Sequence, residues 1–320
     1  MKDLLEKIAN LTFGTEIETE NIDRYRAASA VADAFKEAGL TVTGPTGFSD
    51  CYTIVANGRS WNFKYDGSLA DNGGCEMITP ILTWQDMDIL QVAVRALRHA
   101  GAKVNGRCGM HVHIGTQGWT PQNIANLVKK FYRQEDIILK AAGTASNRLG
   151  HYTRPTDPQF IDRLERIGNM TLDAINMAWF GYSRPQYAIG HYEGHRYRTL
   201  NLNNLWRESK TVEFRLFEGT LHAGEVKANI ALCLALAANA LAAKNPRGGR
   251  RTIDAHDGKF DGRALLVHLG LNGEAFKTVR QHLTKRLKGA STKHEWLAAQ
   301  RRREERRAAR QARQQVHTAA

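Results

Sequence analysis

Four short segments of this chain place acids, imidazoles and an arginine at alternate positions, and this alternation constrains the fold more than any other feature. They are Glu16-Ile17-Glu18, Cys75-Glu76-Met77-Ile78-Thr79-Pro80, His111-Val112-His113 and Glu213-Phe214-Arg215. In each spaced pair the polar residues stand two apart, with an apolar residue between them. Residues i and i+2 of a β-strand point to the same face. Each pair therefore offers its polar side chains to one side of a sheet and its apolar residue to a core. Carboxylates and neutral imidazoles converging in this way suit divalent cations. An arginine beside them suits phosphate. The pattern points to metal–nucleotide chemistry.

A chain of 320 residues holds one large domain or two smaller ones, with a sizeable core. Its net charge of +13 is unevenly spread. Residues 277–320 carry 13 Lys/Arg against 3 Glu, whereas the other 276 carry 32 Lys/Arg against 29 Asp/Glu. The body is near neutral and the tail strongly basic. The four cysteines, Cys51, Cys75, Cys108 and Cys233, form no CxxC pair and read as free thiols of a reducing cytoplasm. The opening Met1-Lys2-Asp3-Leu4-Leu5-Glu6 has no apolar run of the secretory kind, so a cytoplasmic location is expected. Val226 to Ala243 is the most apolar long stretch, but it is Ala-rich and holds Lys227, Asn229 and Asn239. It reads as a buried core helix, with no membrane partner.

Turn and cap residues divide the chain into elements. Leu11 to Glu20 reads as a strand and Asp23 to Ala38 as a helix stopped by Gly39. Cys51–Ala56 and Ser60–Lys64 read as a hairpin around Asn57-Gly58. Cys75–Thr79 is a short strand, and Thr83 with Asp86 caps a helix to Ala100. Gly109–Gly115 is a strand, and Thr120-Pro121 opens a helix to about Ala142. Further helices are expected near Pro158–Ile167 and Leu172–Trp179, antiparallel strands over Arg196–Asn203 and Thr211–Glu218, and a helix over Glu225–Ala243. Strands and helices mix without βαβ alternation, which favours α+β. A catalytic domain over 1–245, a small helical extension over 246–288 and a basic Arg-rich helical tail over 289–320 complete the expected organisation.

Each motif also has a plainer reading. Glu16 and Glu18 could line an exposed strand face with salt bridges. His111 and His113, flanked by glycines, suit a ligand or phosphate-contact role, and the sequence does not force both onto one ion. Glu213 and Arg215 stand poorly for a direct pair, so both are expected to meet something beyond their strand. Arg196-Tyr197-Arg198-Thr199-Leu200-Asn201 could be an ordinary edge strand. Asp66-Gly67-Ser68 alone is a turn.

The order of these pieces resembles the glutamine synthetase / glutamate–cysteine ligase superfamily, and in particular its amidoligase branch, common in phage and bacterial genomes. The pieces are Phe13-Gly14-Thr15-Glu16-Ile17-Glu18, Asp66-Gly67-Ser68, Glu76-Met77-Ile78-Thr79-Pro80 and Gly109-Met110-His111-Val112-His113. Arg196 to Asn201 and Thr211 to Thr220 follow, so the resemblance spans roughly residues 11–243. It implies a curved antiparallel sheet with helices on its outer face, and ATP with Mg²⁺ or Mn²⁺ ions on the concave face. Carried over, Glu18 and Glu76 would share one metal. Glu16, Glu213 and one histidine, His113 in preference to His111, would hold the metal that bridges the ATP phosphates. Arg215 would contact the transferred phosphoryl group, and Arg196 and Arg198 are candidates for a further phosphate-facing arginine. His111 would then contact ATP, and Arg215, Glu213 and Glu18 are the expected catalytic residues. Thr79 stands where the family often has Ser, and Asp66 has no secure equivalent.

The resemblance implies an ATP-dependent ligase that joins a carboxylate to an amine through an acyl phosphate, with residues 143–195 closing over the site. Its substrates would be small molecules, peptides or modified macromolecules, met in the cytoplasm of a bacterium or of a phage's host. Two other classes compete: a metal-dependent hydrolase using the same carboxylates and histidines, and a nucleic-acid-binding or structural protein with a degenerate site. The tail, with Arg301-Arg302-Arg303, Arg306-Arg307, Arg310 and Arg313, motivates the last and suggests a nucleic acid or an acidic protein as partner.

Overall fold

A computed structural model of the protein describes residues 4–318 except 68, 70–73, 145, 152, 186–188, 190–193 and 254–257. Its strands are β1 (Phe13–Thr19), β2 (Val42–Phe48), β3 (Cys51–Ala56), β4 (Arg59–Lys64), β5 (Cys75–Ile78), β6 (Gly109–Gly115), β7 (Leu200–Asn201) and β8 (Thr211–Glu218). They form one sheet in the order β2-β3-β4-β5-β1-β6-β8-β7, each neighbouring pair antiparallel. The helices on one side of it, packed on the sheet or on one another, are α1 (Leu4–Ile8), α2 (Arg24–Glu37), α3 (Met87–His99), α4 (Pro121–Ala142) and α8 (Ala223–Leu241). Between α4 and β7 lie α5 (Ser146–His151), α6 (Pro158–Glu165) and α7 (Leu172–Phe180). After α8 come α9 (Gly258–His268), α10 (Lys277–Thr284) and α11 (Lys293–Thr318).

The alternation in the sequence becomes two sheet faces. Phe13, Ile17, Trp61, Phe63, Met77, Val112, Ile114 and Phe214 are all buried. Against this apolar face lie α2, α3, α8 and α4, each also packed on the next. Two threonines on β1 satisfy their hydroxyls on backbone carbonyls, Thr15 on His111 O at 2.7 Å and Thr19 on Cys75 O at 2.9 Å. The apolar run becomes α8, with 14 of its 19 residues buried. It is long and apolar enough to cross a membrane, but here it packs against β6, α3, α4 and α10. Leu265, Leu266, Val279, Leu283 and Leu287 of the 246–288 segment join the same buried cluster as α4 and α8.

Local signals act where the sequence placed them. Asn57 and Gly58 both adopt positive φ, 46° and 76°, which a two-residue hairpin turn demands. The Asp23 side chain accepts from Arg26 N at 2.9 Å and starts α2. Asp86 Oδ2 accepts from Thr83 N at 2.8 Å, and its Oδ1 accepts from Arg59 Nη2 at 2.6 Å. One carboxylate thus caps the helix entry, where a 3₁₀ turn over Trp84–Asp86 leads into α3, and ties it to the start of β4. The bond from Arg59 is the main reason the Asp86 carboxyl lies below its usual range. A lowered folded-state value means the stabilisation is fully present above the unfolded pKa and fades as pH falls through the folded one. Asp86→Ala should therefore lower stability by about 0.5–2 kcal/mol near neutral pH. Its gap from the parent protein should close below about pH 3. Denaturant melts at several pH values check this, and a gap that widens with acid would refute it.

Several elements differ from the sequence expectation, among them α5 (Ser146–His151), which lies where a loop was expected. Strand β2 was not foreseen, because Gly44, Pro45 and Gly47 argue against a strand interior. Its place at the sheet edge explains the tolerance, since an edge strand can spare a donor. The strand expected over Arg196–Asn203 shrinks to Leu200–Asn201, with a 3₁₀ turn over Gly194–Arg196 before it and another over Asn203–Trp206 after it. Helix α1, too short to show a period, was also missed.

Candidate active site

Strand register lines up the alternating residues. Glu18 stands opposite Glu76 across β1 and β5, and Glu16 opposite His111 across β1 and β6. His113 stands opposite Glu213 across β6 and β8, and Asn201 opposite Glu213 across β7 and β8. Opposed side chains on one face are near neighbours, with Cβ atoms about 4.5–5.5 Å apart. The polar residues of these five strands therefore meet on the face away from α2, α3, α4 and α8. Strand β8 has one residue more than β6 in this stretch: Met110 pairs with Phe217 and Val112 with Phe214, leaving Arg215 and Leu216 opposite His111. Such a bulge re-aims side chains. Beyond it Glu218 comes opposite Gly109, on the same face as Glu213 and Arg215.

Two groups of potential metal-binding atoms result. Glu16, His113 and Glu213 offer ligand atoms all within 4.8 Å of one another, and so do Glu18, Asp66 and Glu76. A third set, Glu16, Glu76 and His111, joins the two. His111 Nδ1 lies 2.9 Å from Glu16 Oε2, and His113 Nε2 lies 3.2 Å from Glu16 Oε1. Gly109 N donates to Glu18 Oε2 at 2.6 Å. Asp66, a turn residue in the sequence, is thus brought to the acids, while Ser68 of the same motif lies outside the described residues.

Electrostatics divides the carboxylates. Burial, then the neighbouring carboxylates of Glu16, Glu18 and Asp66, push Glu76 well above the ordinary range. Burial would also raise Glu16, but His113 and His111 hold it well below. Burial opposes ionisation of Glu213, yet Arg215, His113 and His111 bring it down to about 2. His113 is raised to about 8, burial being outweighed by Glu16 and Glu213. Four acids crowded until one is driven toward its neutral form make a donor set that a hard divalent cation would relieve. Carboxylate oxygens with one imidazole suit Mg²⁺ or Mn²⁺.

Arg215 Nη1 donates to Glu213 Oε1 at 2.5 Å and lies 3.5 Å from His111 Nδ1. The expectation that Glu213 and Arg215 would not pair directly is corrected: the β8 bulge between them and the partner strand brings the two ends together. Asn201 Nδ2 donates to the other oxygen, Glu213 Oε2, at 2.7 Å. Arg215 is buried, and its Nε has no hydrogen-bond partner among the described residues. A buried guanidinium with a donor left over is suited to an oxyanion.

A cleft of about 770 Å³ opens beside Glu16, His113 and Glu213. Gly14, Thr79, Asn203 and the basic Arg196, Arg207 and Lys210 also line it. Glu18, Glu76, His111 and Arg215 are buried and lie outside that lining. Of the two arginines expected at phosphate, Arg196 reaches the cleft and Arg198 does not. Arg198 Nη1 donates to Pro155 O at 2.9 Å, and its Nη2 lies 3.7 Å from Asp157 Oδ2. The segment expected as a lid carries α5, α6 and α7, and its residues 145, 152, 186–188 and 190–193 lie outside the described residues.

Sequence reasoning missed Arg148. It is 2% exposed, and Nη1 donates to Arg107 O and Cys108 O at 3.1 and 2.9 Å. Its charge acts on Glu18, Glu218 and Arg215. It sits in α5, six residues long, where no period or motif marks it. Asn201 was seen, but not its bond to Glu213. Gly109 explains how Arg148 fits: a Cβ there would meet Arg148 Nη2 at 2.6 Å, His111 Nε2 at 3.1 Å and Glu18 Oε2 at 3.3 Å. Gly109→Ala is expected to cut turnover about 10–100-fold through misplacement of these groups. Initial rates beside a denaturant melt test it, and an unchanged rate would mean that the crowding is absorbed harmlessly.

Fold and site define an α+β protein that gathers carboxylates, imidazoles and arginines on one face of an antiparallel sheet. A family model described as “Putative amidoligase enzyme” matches residues 9–237, and the chain belongs to that family. Among solved structures, a bifunctional glutathione synthetase from Pasteurella multocida is similar at 14% identity with a TM-score of 0.43. The similarity covers 89% of this chain and 48% of that one, so the chain spans about half the length of that protein. No curated protein matches the chain.

Proposed function

We propose that the protein is an ATP-dependent carboxylate–amine ligase of the glutamine synthetase type, forming an amide through an acyl phosphate. The observation that carries this reading is the row Glu76–Glu18, Glu16–His111, His113–Glu213, built by strand register and closed by the Arg215 guanidinium. Family membership supports an amide-forming ligase. The cleft supports a nucleotide beside that row, since its volume of about 770 Å³ falls in the range of small-molecule sites and three basic residues line it.

In this reading Glu16, His113 and Glu213 would hold one divalent cation, and Glu18, Asp66 and Glu76 a second. Such ions would screen the phosphate oxygens and draw charge from the transferred group. The protein's own groups position and exclude water. Glu213, held by Asn201, fixes the guanidinium of Arg215, which faces the transferred phosphoryl group. Arg196 meets the nucleotide phosphates from the cleft wall. His111, buried against Glu16 and Arg215, completes the contact on the phosphate side. The substrate carboxylate oxygen attacks the γ-phosphorus, and the bond to the bridging oxygen breaks, releasing ADP. The amine then attacks the acyl carbon and phosphate leaves, taking the amine's proton. A low-dielectric face with preplaced charges suits this chemistry, in which positioning and electrostatics do most of the catalysis.

The test is the nucleotide product. The protein is incubated with ATP, Mg²⁺ or Mn²⁺ and pooled carboxylates and amines, and ADP is separated from AMP. ADP and phosphate that depend on Glu213 support the ligase. AMP and pyrophosphate would mean adenylation and overturn the acyl phosphate. Lack of ATP binding would favour a metal-dependent hydrolase on the same acids.

A further inference from the structure

We propose that the face of α11 carrying Arg302, Arg303, Arg306 and Arg307 binds the phosphate backbone of double-stranded nucleic acid. This surface lies outside the ligase site and does not depend on that reading. Helix α11 runs from Lys293 to Thr318, and Arg302, Arg306 and Arg307 on it are exposed, with Arg303 half-buried. An α-helix turns about 100° per residue, so these four positions fall within an arc of about 140°. Glu304 and Glu305 fall on the other side, and Glu295, two turns before Arg302 on the arginine side, is tied to the helix start by accepting from Ser291 N and Thr292 N at 3.0 and 3.3 Å. The sequence repeats arginine at 310 and 313, seven residues beyond 303 and 306.

Three features choose the partner. First, the residues are arginines, whose planar forks match phosphate oxygens with two bonds at once. Second, the arginine face carries no apolar anchor. Trp296, which shares that side one or two turns earlier, has its ring 5.5 Å from that of Phe260 on α9. Interfaces between proteins are built on buried aromatic and aliphatic anchors, whereas a phosphate chain needs none. Third, no aromatic residue lies among residues 297–309 of the helix, so there is no platform on which unpaired bases could stack. A duplex needs no such platform. A helix about 10–12 Å across also fits the major groove of B-form DNA, about 12 Å wide, which is deep and narrow in an RNA duplex.

The experiment uses the full chain and a labelled duplex of about 25 base pairs, long enough for more than two helical turns. Fluorescence anisotropy is followed over a salt series, beside single strands and poly-glutamate. Each phosphate contact contributes about 0.9 to the slope of log affinity against log salt. Changing Arg302, Arg303, Arg306 and Arg307 together to glutamine should flatten the slope by about 3–4 and weaken binding at least about 100-fold at low salt. Glutamine is nearly as good a helix former as arginine, so circular dichroism should not change. The proposal is overturned if the parent chain does not bind duplex, if the four-fold variant binds it with the same slope, or if single strands or poly-glutamate bind tighter.

Discussion

Replacing Glu213 by alanine is expected to lower ATP-dependent ADP formation by about 10²–10⁴-fold, the scale of a lost metal-binding carboxylate. Three roles converge on this one side chain. Its oxygens belong to the group with Glu16 and His113, and they accept from Arg215 at 2.5 Å and from Asn201 at 2.7 Å. Removal leaves Arg215 buried without the acid beside it in the strand, which costs about 3–5 kcal/mol of stability in comparable cases. Glu213→Gln separates the two effects. It keeps the volume and one carbonyl acceptor for Arg215 but loses the charge, so it should be nearly as inactive and much less destabilised. The measurement is ADP and phosphate release under saturating ATP, read beside a denaturant melt of each variant. If both variants retain parental ADP formation, the assignment of this face as the catalytic centre fails.

Phe214→Ala should lower stability by about 3–5 kcal/mol, because a fully buried phenyl leaves a cavity that the sheet cannot close. Phe214 is 0% exposed, and its ring meets that of Phe131 on α4 edge-on at 5.6 Å between centroids. It also stands between Glu213 and Arg215 in the chain, so it anchors the strand that carries both. A fall in the unfolding midpoint should therefore come with a lower turnover per folded molecule, by about ten-fold if the strand shifts by a fraction of an ångström. Phe214→Leu should restore most of both. A midpoint unchanged by the alanine would mean that this ring contact is not what holds β8 to α4.

Much of the sheet was legible because its two faces differ so sharply. Period-2 alternation in β1, β6 and β8 gave both the strands and the shared polar face, and Asn57-Gly58 gave the β3–β4 turn. The helices with caps, α2, α3 and α4, came from Asp23, Thr83 with Asp86, and Thr120-Pro121. What the sequence could not carry is contact between distant segments. Asp66 joins Glu18 and Glu76 only because β4 and β5 are neighbours, and Arg148 reaches the site from a helix with no apolar period. The direct pair of Glu213 and Arg215 depends on a bulge, and a bulge has no signature in a run such as Thr211 to Glu218. Strand β2 was hidden by the glycines and proline that an edge position tolerates.

The row of polar residues is assembled entirely from distant parts of the chain. Glu16 meets His111 across 95 positions, Gly109 meets Glu18 across 91, and Arg215 meets His111 across 104. The group of Glu16, His113 and Glu213 is complete only in a stretch that runs from β1 to β8. Contacts so far apart in sequence form late and put folding toward the slow end of the usual range. During synthesis the acids of β1 are therefore made long before their partners. Glu18 gains Glu76 and Asp66 once β5 pairs with β1, and Glu16 gains His111 once β6 does, but the group of Glu16, His113 and Glu213 is completed only when β8 docks on β6.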